Sequence, residues 1–189
     1  QAEQPMESYY VYGPDGEVAI LSTAGEAISL AYEISGTVTG ESGAYVWRKD
    51  KINTKNQIMA IEASPVTEDK NSLAVCLDTI LAYEGIMRNS EYMLTQGKTV
   101  QEVLQENLEN VQVLDLSGCT LDSVLYYPDR EIPVLAMLGD GNAVLIIGFN
   151  EKNVVLMNPE TDKVYKMGMN DAADWFTENG CHFISYVKK

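Results

Sequence analysis

Asn71-Ser-Leu-Ala-Val-Cys-Leu-Asp-Thr-Ile-Leu-Ala-Tyr-Glu-Gly85 decides how this chain is read. Between Ser72 and Tyr83 it holds no Pro, no Gly and a single charge, Asp78. Leu73, Cys76, Leu77 and Ile80 recur at helical spacing, which predicts a helix over 72–83 with one apolar face. A second stretch, Gly139-Asp-Gly-Asn-Ala-Val-Leu-Ile-Ile-Gly-Phe-Asn150, opens as a tight turn and continues as an apolar run, the signature of a hairpin strand. Val154-Val-Leu-Met-Asn-Pro159 follows at once as another strand.

Working outward, residues 99–102 form a capping box (Thr99, Glu102) that opens a helix, and Ser90 starts a shorter one. Val111–Leu116 is strand-like, and Thr120 opens a helix through Leu125 that Pro128 ends. Strands are expected over 134–138, 143–149, 154–157, 163–167 and 183–187. Asn170 is expected to cap a helix carrying Ala172, Trp175 and Phe176, with Gly180 ending it. Towards the N-terminus, Tyr9–Tyr12 and Val18–Leu21 flank a Gly13-Pro-Asp-Gly16 turn as a hairpin. Ser22 or Thr23 then caps a helix with Ala27, Ile28, Ala31 and Ile34 on one face, stopped by Gly36. Tyr45–Trp47 and Gln57–Ile61 read as short strands separated by a polar stretch, 48–56. Ser64-Pro65 and Glu68-Asp-Lys70 form the expected linker, dividing the chain into an N-terminal hairpin–helix element (1–64) and a second domain (65–189). Helices first and an antiparallel sheet after is an α+β order.

At 189 residues, 46% hydrophobic and 22% charged, the chain has ordinary globular composition. A formal charge of -15 argues against nucleic acid as a partner and against an anionic membrane surface. No run of about 18 apolar residues is present, so no membrane insertion is expected. The polar start Gln1-Ala-Glu-Gln-Pro5 fits a chain whose export signal has been removed, so an extracellular or cell-surface location is expected. Cys76, Cys119 and Cys181 are too widely spaced for a zinc motif or a disulfide framework. Their disulfide state stays open. Neither a phosphate-binding nor a dinucleotide-binding glycine motif occurs, and no cofactor is expected. Gly139-Asp-Gly-Asn142 has calcium-loop composition, but Val144 and Leu145 stand where such a loop needs an oxygen ligand and a glycine, so no metal is expected.

Residues 65–187 resemble a degenerate papain-like cysteine peptidase domain of the double-glycine leader peptidase type. In that family a Cys begins a helix closed by Tyr-x-Gly, and a His precedes an apolar run ending in Gly-Tyr/Phe-Asp. The orienting residue lies in an Asp-Pro or Asn-Pro pair. Matching Tyr83-Glu-Gly85 to the closing signal places Ser72 at the nucleophile's position. Asn142 stands at the His position, and Asn158-Pro159 fits the third. Gly148 and Asn158-Pro159 are the sharp matches. The oxyanion Gln has no counterpart; Thr67 and Glu68 lie in that neighbourhood. The first 60 residues also resemble secreted proteins of gut anaerobes that carry such domains. The fold implied is papain-like, with a central helix packed on an antiparallel sheet.

Asn has no basic nitrogen, so a Ser72–Asn142–Asn158 set cannot take a nucleophile's proton. Losing triad function costs on the order of a million-fold in turnover. The reading is therefore a catalytically inactive, secreted peptidase-like protein that binds a peptide or protein in the remnant cleft. The alternative nucleophile is Cys76, one turn into the helix, with the single histidine, His182, as base. Apolar neighbours of Cys76 would raise its pKa, which opposes that role. A third reading is a structural module of a surface protein, which should expose a large apolar patch.

Overall fold

A computed structural model describes residues 7–49 and 57–189. The start at Gln1–Pro5, and the polar stretch 48–56 beyond Lys49, lie outside the described residues. The N-terminal sheet holds β1 (Tyr9–Gly13), β2 (Gly16–Leu21), β3 (Thr37–Thr39) and β4 (Tyr45–Arg48), in the order β2-β1-β3-β4 and antiparallel throughout. Gly16 closes the β1–β2 hairpin at a φ of 119°, which glycine adopts without steric cost. Helix α1 (Ala24–Ile34) packs on β1 and β3, its first turn capped by Thr23, whose hydroxyl accepts the Glu26 N–H. β3 has no counterpart in the sequence reading: a three-residue strand with one apolar side chain is too short to show a period.

The larger sheet is antiparallel, in the order β10-β9-β8-β7-β11-β6. It comprises β6 (Val111–Asp115), β7 (Val134–Met137), β8 (Ala143–Phe149), β9 (Asn153–Asn158), β10 (Lys163–Gly168) and β11 (His182–Lys188). β5 (Gln57–Ile58) joins β8 opposite Gly148 and Phe149, where β7 has already ended. The expected strand 57–61 is thus two residues long, although Met59 N–H still reaches the Ile147 carbonyl at 2.8 Å. All seven residues of β8 are buried, which accounts for its unbroken apolar run.

Helix α2 (Ser72–Tyr83) packs on β7 and β8. Ala74, Val75, Cys76, Leu77, Ile80 and Leu81 are all buried, so the helix is covered on more than the one face its periodicity suggested. α3 (Ser90–Thr95) and α4 (Val100–Asn107) lie against it, and the Thr99–Glu102 capping box of α4 is present in both directions. α5 (Leu121–Val124), capped by Thr120, leads into a 3-10 turn at Pro128–Arg130. α6 (Met169–Glu178) begins after Gly168, with Asn170 inside its first turn and not at its cap. The strand before it continues to Gly168, so the chain enters the helix two residues earlier than the Asn signal implied.

The two sheets share one core. The Trp47 indole, fully buried, donates to the Ser123 carbonyl at 2.8 Å, and the Tyr127 hydroxyl donates to the Val46 carbonyl at 3.1 Å. A Cβ at Gly25 would lie 2.5 Å from the Ser117 carbonyl oxygen, so only glycine allows α1 to start so close to the turn after β6.

Candidate functional site

The first turn of α2 meets the start of β8. Asn71 caps the helix, its side-chain oxygen accepting the Ala74 N–H at 2.9 Å. Ser72 is therefore the first helical residue, and it is completely buried. Its hydroxyl donates to Asn142 Oδ1 at 3.1 Å and accepts the Ala143 N–H at 3.0 Å.

Asn142 is fixed from the other side by Asp140. The carboxylate accepts the Asn142 backbone N–H at 2.9 Å and its Nδ2 at 3.2 Å. A carboxylate only accepts, so it holds the amide NH2 towards itself and turns Oδ1 towards Ser72. The β7–β8 loop that carries these residues is closed by the Gly141 N–H on the Leu138 carbonyl at 3.1 Å, with Gly141 at a φ of 87°. Asn179, at the end of α6, pins it further by accepting the Gly139 N–H at 3.0 Å. Sequence reasoning named neither Asp140 nor the Ala143 amide as part of this junction. The Asp-Gly-Asn turn was the available signal for the first.

The third position does not join the first two by a hydrogen bond. Asn158 Oδ1 accepts the Glu160 N–H at 3.0 Å and Nδ2 donates to the Tyr165 hydroxyl at 3.4 Å, so the side chain ties the β9–β10 turn. The segment before α2 does pass beside this turn, with Val66 N–H on the Pro159 carbonyl at 3.3 Å. Thr67 and Glu68 are exposed, in a turn closed by backbone bonds between Thr67 and Lys70. Cys76 is completely buried, and desolvation pushes its thiol pKa far up, away from the thiolate a nucleophile needs. His182 is exposed at the start of β11, opposite Met137, and no hydrogen bond links it to Cys76. Among the described residues no group of three or more His, Cys, Asp or Glu is placed to hold a metal ion. No helix among them is long and apolar enough to cross a membrane.

A groove of about 590 Å³ runs along the flank of α2, one turn beyond Ser72. Val75, Thr79 and Ala82 form its helical wall, with Ile61, Pro65 and Ile86 across from them. Lys70 and Asp78, paired at 2.7 Å, stand at its side, and Asp78 also accepts the Ser90 N–H at 2.8 Å. In the sequence these wall residues carried no functional signal: Val75, Thr79 and Ala82 are ordinary positions of one helix, and Ile61, Pro65 and Ile86 lie on other segments.

No protein-family model matches the chain, and no curated protein sequence matches it. Among solved structures it is similar to a C39-like peptidase from Bacillus anthracis, at 14% identity over 71% of this chain and 98% of that one, with a TM-score of 0.60. It is also similar to a double-glycine motif protease from an AMS/PCAT transporter in complex with its leader peptide. There the identity is 14%, the coverage 71% and 99%, and the TM-score 0.48. The likeness to the first is one of fold: mixed helix and sheet in a C39-like peptidase arrangement.

Proposed function

We propose that this protein is a non-catalytic member of the papain-like fold that binds an extended peptide or protein segment in the groove along α2. The observation that carries the first half is the state of Ser72. It is buried, its hydroxyl is committed both as donor and as acceptor, and the group that receives its proton is an amide without basicity. Such a hydroxyl is a strut between α2 and β8.

The second half rests on the groove's other wall. Residues 59–62 alternate buried Met59 and Ile61 with exposed Ala60 and Glu62 beside the helical wall; they lie outside any strand, with the Ile61 N–H turned back onto the Met59 carbonyl at 2.8 Å. An incoming peptide can add main-chain hydrogen bonds to such a segment, and this recognition needs no nucleophile. The reading keeps residues 1–64 as a brace on the peptidase-like part, 65–189, and includes an extracellular or cell-surface location.

Selection of a random peptide display library on the full chain tests it. Enriched peptides are expected to slow amide exchange across residues 60–66 and the exposed face of α2, and to be recovered uncleaved. Turnover abolished by Ser72→Ala, or rapid iodoacetamide labelling at Cys76, would overturn the non-catalytic half; a selection that enriches nothing, or leaves 60–66 unprotected, would sink the binding half.

One observation favours a second reading, a structural module. Val18 and Ile20 point outward from edge strand β2 and are 57% and 55% exposed. Association of the purified chain that Ile20→Lys abolishes would support it.

A further inference from the structure

The segment that joins α2 to α3 is short and fixed at both ends. Gly85, at a φ of 83°, reverses the chain after α2, and the Ile86 N–H returns to the Leu81 carbonyl at 2.8 Å. At the far end Asn89 caps α3 by accepting the Tyr92 N–H at 3.3 Å, and Asp78 accepts the Ser90 N–H at 2.8 Å. Between these anchors Ile86 packs half-buried against the core, while Met87 is 79% exposed. It is the most exposed large apolar side chain among the described residues. It also lines the groove along α2, on the same side as Ile86. The backbone therefore sets a thioether at the rim of that groove.

Of the other methionines among the described residues, Met59 and Met157 are buried, and Met93, Met137, Met167 and Met169 are half-buried. A peroxide reaches a sulphur through solvent, so exposure puts Met87 first. The cysteines do not compete at this place. Cys76 and Cys119 are buried, and Cys181 does not line the groove.

Oxidation changes what the rim offers a ligand. A thioether is flexible and apolar, suited to lying against varied apolar side chains. Its sulfoxide is polar and chiral. Pressed against an apolar side chain of a bound peptide, the new oxygen would lose its water without gaining a donor.

We propose that Met87 is an oxidation site that regulates the groove along α2: hydrogen peroxide converts its thioether to the sulfoxide, and the affinity of the groove for peptide falls. The proposal rests on the reading of that groove as a peptide site. In the step, a sulphur lone pair attacks one peroxide oxygen, and the S–O bond forms as the O–O bond breaks. The sulphur gives up two electrons. The departing hydroxide takes the proton from the transferred oxygen and leaves as water.

Graded hydrogen peroxide on the full chain, quenched with catalase and mapped by peptide mass spectrometry, tests the first half. Met87 is expected to gain an oxygen before Met59 or Met157 does. Binding of a fluorescein-labelled peptide from the display selection, chosen without Met or Cys, tests the second half. Conversion of Met87 should weaken that peptide by about tenfold, the scale of one polar group left unpaired in the contact. Met87→Leu should keep, after the same peroxide dose, whatever affinity it had before. Oxidation of Met87 no faster than that of the buried methionines would overturn the proposal, and so would an equal loss of affinity in peroxide-treated Met87→Leu. A selection that yields no peptide overturns the reading of the groove and this proposal with it. A peptide that binds the oxidised chain undiminished overturns this proposal alone.

Discussion

Helix α2 is closed at one end and open at the other. At its first residue the Ser72 hydroxyl is sealed between Asn142 and the Ala143 amide with no exposure to solvent. Along its flank and beyond its last turn, Val75, Thr79, Tyr83 and Glu84 face two clefts. The Ser72 end of the helix is a closed joint between α2 and β8, while the rest of the helix borders two concave surfaces. A buried hydroxyl with both its hydrogen-bonding roles filled adds rigidity, and an exposed concave wall is free to meet a ligand.

The comparison can be broken by substitutions at graded depth. Leu77→Ala, in the fully buried middle of α2, should cost about 2–5 kcal/mol in denaturant unfolding, because neighbouring strands cannot collapse into the space. A cost below about 1 kcal/mol would mean that the helix is less tightly covered than described. Ser72→Ala comes next, at about 1–3 kcal/mol, since the buried Ala143 amide loses its acceptor. A neutral Ser72→Ala that also abolished a measurable hydrolysis would reverse the contrast, making the closed end the functional one.

Alkali probes the covered side by another route. Burial pushes the Cys119 thiol from 9.0 to about 11, although hydrogen bonds from Ser29 and Ser123 pull the other way. Burial likewise takes the Tyr9 phenol from 10.0 to about 12, partly offset by its hydrogen bond with Gln112. Both groups keep their protons longer when folded than when unfolded. The stability they contribute is complete below about pH 9 and is lost as pH rises towards 11–12. The thermal midpoint should fall over that window, and Cys119→Ser should shallow the fall; a flat profile from pH 8.5 to 11.5 would contradict it. At the open side effects should be smallest. Lys70→Met removes a partly exposed ion pair and should change stability by about 0–1 kcal/mol. Met87→Ala, 79% exposed at the groove rim, should stay within about 0.5 kcal/mol while altering binding of a selected peptide.

Much of this was legible in the residues because it is local. The bounds of α2 follow from a breaker-free apolar stretch between Asn71 and Glu84-Gly85, and the α4 capping box from two side chains three apart. The seven buried residues of β8 follow from an unbroken apolar run. The meeting of Ser72 with Asn142 was suggested only by the family resemblance, because the two residues stand 70 positions apart and no local pattern links them. Short elements were harder. β3 holds too few residues to show a period, and Asn170 looked like a cap although β10 runs directly into α6.

What the sequence by itself determined is the α+β order, the long elements with their caps, and the absence of a base at the Asn142 position, because periodicity, capping and side-chain chemistry are properties of neighbouring residues. Only the tertiary structure decided that Ser72 is sealed, that Asn158 serves its own turn, and that Met87 stands at the rim of the groove along α2. Each of those depends on segments tens of residues apart, whose distances are set by how sheet and helices pack and not by anything written within one segment.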